Sequence, residues 1–170
     1  MQNTEPTAPN SVKSRRWFLL GGATVVAGSG LFGSRWFNIF ANAALEGTLT
    51  VTDAHQLAQN GSLYLIDIRR PDEWARTGVA APALPIDMRR DDFEILLRSV
   101  FETSGERPVA LICARGVRSN RMNRRLNDAG FDQILDVPEG MLGSGAGPGY
   151  IATGLPLRPP TQAELDGQII

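Results

Sequence analysis

The stretch PVALICARGVRSNRMNRRLNDAG, residues 108–130, decides the fold of this chain. It opens with a short apolar run of the kind that forms a strand buried on both faces of a sheet. A glycine-containing loop follows, and then a polar run, residues 119–129, that is typical of a helix ended by Gly130. The stretch therefore predicts a strand, a short loop and a helix in succession, with Cys113 as the last residue of the strand.

The same alternation continues on both sides of this stretch. SLYLIDI, residues 62–68, and QILDV, residues 133–137, predict two further buried strands. Pro71 opens one helix, and the acidic pair at 91–92 opens a longer helix whose apolar residues recur at helical spacing. Strands alternating with helices predict an α/β domain, with a central parallel sheet and helices on both faces. Ligands of such sheets bind at the carboxyl ends of the strands, where Cys113 is expected.

The connecting segments carry weaker signals. TLTV, residues 48–51, is expected to form a short strand, and Thr52 to cap the helix after it. Residues 82–85 indicate a loop between two prolines. Residues 138–149 are rich in glycine, which suits a flexible loop or a tightly packed one. After Leu155 the chain is proline-rich, and this tail is expected to lie over the surface.

The N-terminus has the features of an export signal. SRRWFLL, residues 14–20, contains paired arginines, and residues 17–33 carry no charge. Ala41-Asn42-Ala43 is a small-x-small cleavage site. The segment resembles twin-arginine signal peptides, and the paired arginines point to that route. Residues 1–43 are therefore interpreted as a twin-arginine signal peptide, cut after Ala43 by the export machinery.

Cleavage would release a single domain, residues 44–170, into the periplasm. The alternative is a signal that stays uncleaved and anchors the protein in the inner membrane. A membrane span needs about 20 apolar residues, and the uncharged run at 17–33 is rich in glycine. The sequence therefore favours cleavage over anchoring.

The amino-acid composition excludes several classes of function. The 170 residues are 42% hydrophobic with a net charge of −1, which is typical of a globular domain and too little charge to hold nucleic acid. The single cysteine, Cys113, excludes a disulfide scaffold and every multi-cysteine metal site. After residue 43 every basic residue is an arginine, which excludes Schiff-base chemistry by lysine. We therefore expect no multi-cysteine metal centre and no nucleic-acid partner.

The residues after Cys113 can form a cradle for an anion. The first amides of a helix have no partner within it, and together with the amides of a short loop they can turn toward a negative charge. Such surroundings favour the reactive thiolate over the thiol, so His55 is not needed as a base. Five arginines lie between positions 115 and 125, and arginine binds oxyanions well. The segment predicts a cysteine nucleophile and a small anionic substrate.

The motif C-x-x-G-x-R-S, residues 113–119, resembles the active-site loop of rhodanese-domain sulfurtransferases. LYLIDIRRPDEWARTG, residues 63–78, is similar to the upstream signature of that family. ILDVPEGM, residues 134–141, followed by TGLPL, residues 153–157, resembles its last strand, helix and closing segment. The resemblance covers residues 48–158 and implies a rhodanese-like fold, with the active-site loop at the C-terminal end of a central strand.

The resemblance also implies a mechanism that needs no metal and no organic cofactor. The Cys113 thiolate would attack the outer sulfur of thiosulfate or a similar donor, sulfite would leave, and a thiol or cyanide would remove the sulfur from the resulting persulfide. The residues implied to bind the anion are those of the loop: Ala114, Arg115, Gly116, Val117, Arg118 and Ser119. Within this set, Arg118 is expected to brace the loop and Arg115 to meet the donor.

Four residues outside the loop are assigned less direct roles. Asp67 and Arg69 are interpreted as supporting residues that hold a strand end beside the loop. Glu73 is interpreted as a helix cap or a salt-bridge partner, and His55 as an exposed helix residue.

Two alternatives stay open. In the first, Cys113 is a low-turnover persulfide carrier that exchanges sulfur with one sulfur-relay protein. In the second, less favoured, the cradle serves a phosphatase or an arsenate reductase. Four residues separate Cys113 from Arg118, whereas the resemblance to dual-specificity phosphatases would require one residue more, so the spacing favours sulfur.

Overall fold

The computed structural model describes residues 47–105, 107–131 and 134–168. The signal peptide and the cleavage site predicted for residues 1–43 lie outside this part of the chain. None of the helices that the structure describes combines the length and the hydropathy that a membrane span requires.

A parallel sheet forms the centre of the domain. The strands are, in chain order, β1 (Tyr64–Asp67), β2 (Val79–Ala80), β3 (Leu84–Pro85), β4 (Val109–Ile112), β5 (Ile134–Asp136) and β6 (Leu157–Arg158). Four of them make the central sheet in the order β3-β1-β4-β5, and all neighbours in it are parallel. The register places Asp67 beside Ile112 and Leu111 beside Asp136, so these strands end at the same edge of the sheet, at Cys113.

Helices cover the sheet as predicted. They are α1 (Val51–Gln59), α2 (Pro71–Thr77), α3 (Phe93–Ser104), α4 (Val117–Asp128) and α5 (Gln162–Leu165). Proline stands at the first turn of α2, where its missing N–H costs no hydrogen bond. Asp92 is the N-cap residue of α3, close to the predicted start.

Two apolar clusters lie on the two faces of the sheet because side chains alternate along each strand. Along β4, Ala110 and Ile112 join the cluster that includes residues of α1, whereas Val109 and Leu111 join the cluster that includes residues of α3 and α4. The two clusters are called the α1 cluster and the α4 cluster below. Cys113 continues the alternation and belongs to the α4 cluster. These observations confirm the predicted α/β class, with helices on both faces.

The predicted strand at 48–51 is wrong. Only Thr48 makes a bridge, to Asp136, and the chain then enters α1 at Val51. The reason is a cap: the Thr50 hydroxyl accepts a hydrogen bond from the Asp53 amide at 3.1 Å, which starts the helix before the predicted cap at Thr52.

The loop predicted at 82–85 contains an edge strand. β3 pairs with β1 on one side only, and an edge position tolerates Pro85 because no second neighbour needs its amide. The tail after Leu155 also contains a strand and a helix for which no prediction was made. β6 pairs antiparallel with β2, and Arg158 forms an ion pair with Glu164 at 2.7 Å that fastens α5 to it.

Candidate active site

Cys113 lies directly after β4 and is 1% exposed. Its side chain points into the α4 cluster, and its polar neighbour is the Ser119 hydroxyl, whose oxygen lies 3.5 Å from Sγ. The same hydroxyl lies 3.1 Å from the Gly116 carbonyl oxygen. The thiol therefore sits at the floor of the turn that connects β4 to α4.

The turn after the thiol, residues 114–119, is called the Cys113 loop here. Gly116 has a φ of 77°, in the left-handed region, and a Cβ at this position would lie 2.0 Å from the Pro138 carbonyl oxygen. Glycine is therefore required both by the backbone conformation and by the space. The helix begins at Val117, earlier than predicted, and its first bond runs from the Asn120 amide to the Gly116 carbonyl.

The amides of the Cys113 loop are free to donate to a ligand. Among the described residues, no acceptor is found for any backbone N–H from 114 to 119. Unpaired amides at the start of a helix carry partial positive charge, to which the helix dipole adds. The loop thus has the donors that the predicted anion cradle needs.

The glycine-rich segment at 138–149 packs tightly against this loop. The Met141 amide donates to the Cys113 carbonyl at 2.8 Å, and the Leu142 amide donates to the Ala114 carbonyl at 2.8 Å. A Cβ on Gly140 would come within 2.7 Å of Ala114. Of the two forms expected for the glycine-rich segment, the structure has the tightly packed one.

Glu139, which the sequence did not single out, anchors the glycine-rich segment. Its side chain is buried, with Oε1 accepting from the Val51 amide at 3.0 Å and Oε2 accepting from the Gly149 amide at 3.2 Å. A Cβ on Gly147 would lie 2.4 Å from Oε2. Glycine at this position therefore lets the chain close around the carboxylate.

Arg118 braces the turn through Glu73. Its two terminal nitrogens donate to the two carboxylate oxygens of Glu73, at 2.8 and 2.7 Å, and this pair connects α4 to α2. Burial acts to raise the pKa of Glu73, but hydrogen bonds from Arg118 and Arg70 outweigh it and hold that pKa at about 2. The interpretation of Glu73 as a salt-bridge partner is confirmed.

Arg115 is exposed and occupies a different position. Its Nη1 lies 3.4 Å from the Gly143 carbonyl oxygen of the glycine-rich segment. Val117, on the same turn, is 68% exposed, and Leu142 of the glycine-rich segment is 44% exposed. The outer rim of the turn is therefore part cationic and part apolar.

Asp67 and Arg69 form a buried ion pair at the end of β1. Nε and Nη2 of Arg69 donate to the carboxylate of Asp67, with the shortest distance at 2.7 Å, and both side chains are at most 1% exposed. Arg69 also donates to the Thr77 hydroxyl at 2.7 Å and to the Gly78 carbonyl at 2.8 Å. The pair ties the strand end to the end of α2.

The prediction that His55 is exposed is wrong. It is 7% exposed, and its Nδ1 lies 2.7 Å from the Tyr150 hydroxyl, whose own partner is the Pro156 carbonyl. Burial raises the pKa of Tyr150 to about 12. Tyr150 belongs to the α1 cluster, on the face of the sheet opposite Cys113. A contact between positions 95 residues apart leaves no local sequence signal, which is why His55 was misplaced.

Asp136 is a further buried acid on the face of the sheet to which Cys113 belongs. It ends β5, is 1% exposed, and accepts from the Asn120 amide group at 3.3 Å through Oδ2. Burial raises its pKa, and the hydrogen bond from Asn120 opposes that rise. The sequence contained one signal for it, an acid at the carboxyl end of a predicted buried strand.

Three solved structures resemble this chain. The crystal structure of Rv0390 from Mycobacterium tuberculosis is 26% identical with a TM-score of 0.51, over 66% of this chain and 97% of that protein. The solution structure of the polysulfide-sulfur transferase homodimer from Wolinella succinogenes is 27% identical with a TM-score of 0.49, over 76% and 91% of the two chains. A Rhodopseudomonas palustris protein of unknown function, described as a possible tyrosine phosphatase, is 22% identical with a TM-score of 0.49, over 69% and 89%.

Sequence comparison with curated proteins finds no significant match. Comparison with protein families finds one: residues 50–143 match the Rhodanese-like domain. The match spans more than half of the chain and includes β1, α2, β4, the Cys113 loop and α4. This chain therefore belongs to the rhodanese-like domain family.

Proposed function

We propose that this protein is a sulfurtransferase that moves sulfane sulfur from thiosulfate, or a similar anionic donor, to a thiophilic acceptor through a persulfide on Cys113. The observation that carries the proposal is the position of the single thiol in a rhodanese-like domain, directly before a loop whose amides have no acceptor among the described residues. Membership of the family supports sulfur transfer in general, and the small anionic donor is inferred from the cradle.

The first half-reaction is a displacement at sulfur. The Cys113 thiolate attacks the outer sulfur of thiosulfate, a new S–S bond forms, and the bond to sulfite breaks with its electron pair on the leaving sulfite. The terminal sulfur of the persulfide then carries the negative charge. The amides of the Cys113 loop stabilise that charge in the way that an oxyanion hole stabilises an oxyanion.

The second half-reaction removes the sulfur. Cyanide or a thiolate attacks the terminal sulfur, the new S–S or C–S bond forms, and the electron pair returns to Cys113 as thiolate. Two successive displacements on one residue predict ping-pong kinetics. Neither step requires a metal or an organic cofactor, because in both steps the atom attacked is sulfur and the leaving group, sulfite or the Cys113 thiolate, departs as a stable anion.

We assign different tasks to the two arginines of the Cys113 loop. Arg118 keeps the turn in place, since both terminal nitrogens are used by Glu73. Arg115 binds the donor anion at the rim, since it is exposed and makes one long contact, at 3.4 Å, to a carbonyl. Asp67 and Arg69 support the site by fixing the end of β1 next to the loop.

We also propose that the domain works in the periplasm after twin-arginine export, with residues 1–43 removed. The support is the paired arginines and the Ala41-Asn42-Ala43 site. The intact mass of the exported protein tests this directly. A measured mass equal to that of residues 44–170 agrees with the proposal. A full-length protein in the membrane fraction supports the anchored alternative.

The activity is tested with thiosulfate and cyanide as substrates. The wild-type protein is expected to form thiocyanate, and Cys113→Ser to form none while its circular dichroism spectrum stays unchanged. Turnover in the Cys113→Ser variant would contradict the mechanism. Slow turnover together with a stable persulfide would identify the protein as a carrier, and release of phosphate from an aryl phosphate without sulfur transfer would identify it as a phosphatase.

A further inference from the structure

The exposed side of α4 carries two cations in line with an apolar residue. Val117, Arg121 and Arg124 follow one another at spacings of four and three residues, which places them on one side of the helix. All three side chains are exposed. The buried residues of α4 lie on its opposite side, and they are Ser119, Met122, Asn123 and Leu126. The three exposed residues therefore form a stripe that faces away from the sheet.

The positive charge of this stripe is not used inside the domain. Two other arginines of α4 are paired, Arg118 with a carboxylate of α2 and Arg125 with a carboxylate of α3. Arg121 and Arg124 form no ion pair within the part of the chain that the structure describes. The whole chain has a net charge of −1, so the positive stripe is a local feature. Such a stripe attracts a negatively charged partner and speeds its approach.

Two exposed apolar side chains lie at the end of α4 that is nearest to the thiol. Val117 is the first residue of α4, four positions after Cys113. Leu142 is held beside the Cys113 loop, because its amide donates to the Ala114 carbonyl at 2.8 Å. Among the described residues, these are two of the four large apolar side chains that are exposed. Neither thiosulfate nor cyanide gains from apolar contact, whereas apolar side chains grouped with arginine are typical of protein interfaces.

Arg115 lies on the Cys113 loop between the apolar pair and the thiol, and its side chain is exposed. The surface made by these residues is called the α4 face here, and it consists of Arg115, Val117, Arg121, Arg124 and Leu142. A helical rise of about 1.5 Å per residue puts Arg124 about 10 Å beyond Val117 along the axis. A surface of this length is larger than a small anion can cover, and it matches a segment of a macromolecule.

From this surface, and resting on the function proposed above, we infer that the sulfur acceptor is a thiol on an acidic segment of a protein, which docks on the α4 face. Carboxylates of that segment lie against Arg121 and Arg124, and an apolar residue next to its thiol covers Val117 and Leu142. The charges on the two surfaces are then complementary. A nucleic acid fits less well, because the α4 face has no aromatic side chain on which a base could stack.

The transfer is a displacement at the terminal sulfur of the persulfide. The thiolate of the segment attacks that sulfur, and a new S–S bond forms on the partner. The bond to Cys113 breaks with its electron pair on Sγ, so the partner leaves as a persulfide anion and Cys113 returns to the thiolate. Arg121 and Arg124 do not touch the reacting atoms, so they are positioning residues for the partner.

Transfer of sulfur to peptides tests the inference. Protein loaded with sulfur from thiosulfate is mixed with a short peptide that contains a cysteine, a leucine and several glutamates, or with the same peptide carrying glutamine in place of glutamate. The acidic peptide is expected to take up sulfur about tenfold faster at low ionic strength, and salt should reduce the difference because it screens exposed charges. Equal rates for the two peptides, or a preference that salt does not change, would contradict the inference.

A double variant, Arg121→Gln with Arg124→Gln, separates docking from the chemistry of Cys113. It is expected to transfer sulfur to the acidic peptide about tenfold more slowly than the wild-type protein, with unchanged turnover of thiosulfate and cyanide. Arg76→Gln with Arg98→Gln removes two exposed arginines from α2 and α3 and is the matched control, expected to keep the wild-type rate. Equal slowing in both double variants would show an effect of net charge alone and would overturn the docking face.

Binding distinguishes the failure of this inference from the failure of the proposed function. Peptides with serine in place of cysteine accept no sulfur, and fluorescence anisotropy is expected to show tighter binding of the acidic one to the wild-type protein. Thiocyanate formation without this preference would remove the docking inference alone. The preference in a protein that never takes up sulfur would remove the proposed function and leave the docking face.

Two further measurements test other occupants of the α4 face. A single-stranded DNA that displaces the acidic peptide and binds as tightly would assign the face to a nucleic acid and overturn the inference. A dimer in analytical ultracentrifugation that dissociates in the variant with Arg121→Gln and Arg124→Gln would assign the face to a second copy of this chain. The inference predicts weaker binding of the DNA than of the peptide, and an oligomeric state that the double variant does not change.

Discussion

Gly116 determines the shape of the turn that holds the thiol. With a φ of 77° and the Pro138 carbonyl oxygen 2.0 Å from where a Cβ would be, alanine has neither the conformation nor the room. Gly116→Ala is expected to cost about 3 kcal/mol or more in unfolding free energy and to abolish sulfur transfer. Urea unfolding and thiocyanate formation measure the two effects.

Gly61 is a matched control for this substitution. Its φ is 78°, yet a Cβ there would meet nothing within 4 Å. Gly61→Ala should therefore show only the cost of the left-handed conformation, about 1–2 kcal/mol, with full activity. Equal losses in the two variants would show that the contact with Pro138 has no effect on the turn.

Arg115 is expected to act on the donor and not on the fold. Because its guanidinium is exposed and, among the described residues, makes one long contact at 3.4 Å to Gly143, Arg115→Ala should raise the KM for thiosulfate about tenfold, the loss of one charge-assisted hydrogen bond, with little change in stability. Arg76→Ala, which removes an exposed arginine of α2, should leave KM unchanged. Steady-state kinetics at varied thiosulfate concentrations measure both KM values. An unaltered KM in Arg115→Ala would exclude Arg115 from the donor site.

Among the secondary-structure elements, α2 and α4 are joined by the ion pair between Glu73 and Arg118. Glu73 is 12% exposed and its pKa is about 2, against 4.5 for an ordinary glutamate. A carboxyl with a lower pKa in the folded chain stabilises the fold above its unfolded pKa, and loses that contribution as the pH falls through its folded pKa. The stabilising effect of the pair with Arg118 should therefore be complete above about pH 4.5 and vanish toward pH 2.

Glu73→Gln tests this pH dependence. The variant is expected to be less stable by about 1–2 kcal/mol at neutral pH and to approach the wild-type protein as the pH falls toward 2. Asp72→Asn changes an exposed acid on the same helix and serves as the control. Its effect on the unfolding free energy is expected to be small. Thermal unfolding across the pH range provides the data, and a difference from the wild-type protein that stays constant with pH would contradict the assignment.

The elements also differ in how well local sequence predicts them. β1, β4 and β5 are short apolar runs, and α2 starts at a proline followed by acids, so each carries its own signal. β3 has two residues, one of them proline, and is a strand only because β1 pairs with it. β2 and β6 are likewise strands because they pair with each other. Each has two residues, too few to show a periodicity in the sequence.

At the scale of the whole molecule, the site combines a local motif with distant partners. The Cys113 loop could be predicted because its residues are contiguous. Asp136 and Glu139 could not be assigned, because their partners belong to other elements: Asn120 of α4 for the first, and the Val51 amide, 88 positions away, for the second. His55 was misplaced for the same reason. Parallel strands that end at one edge bring these groups together.

The central claim is that Cys113 accepts and carries one sulfur atom. The most direct test is the intact mass of the wild-type protein and of Cys113→Ser after incubation with thiosulfate, followed by treatment with cyanide. The account predicts that the wild-type protein gains the mass of one sulfur atom and loses it with cyanide, and that Cys113→Ser keeps its original mass throughout. The account would be contradicted by a wild-type protein that does not gain the mass of sulfur, or by a Cys113→Ser variant that gains it as well.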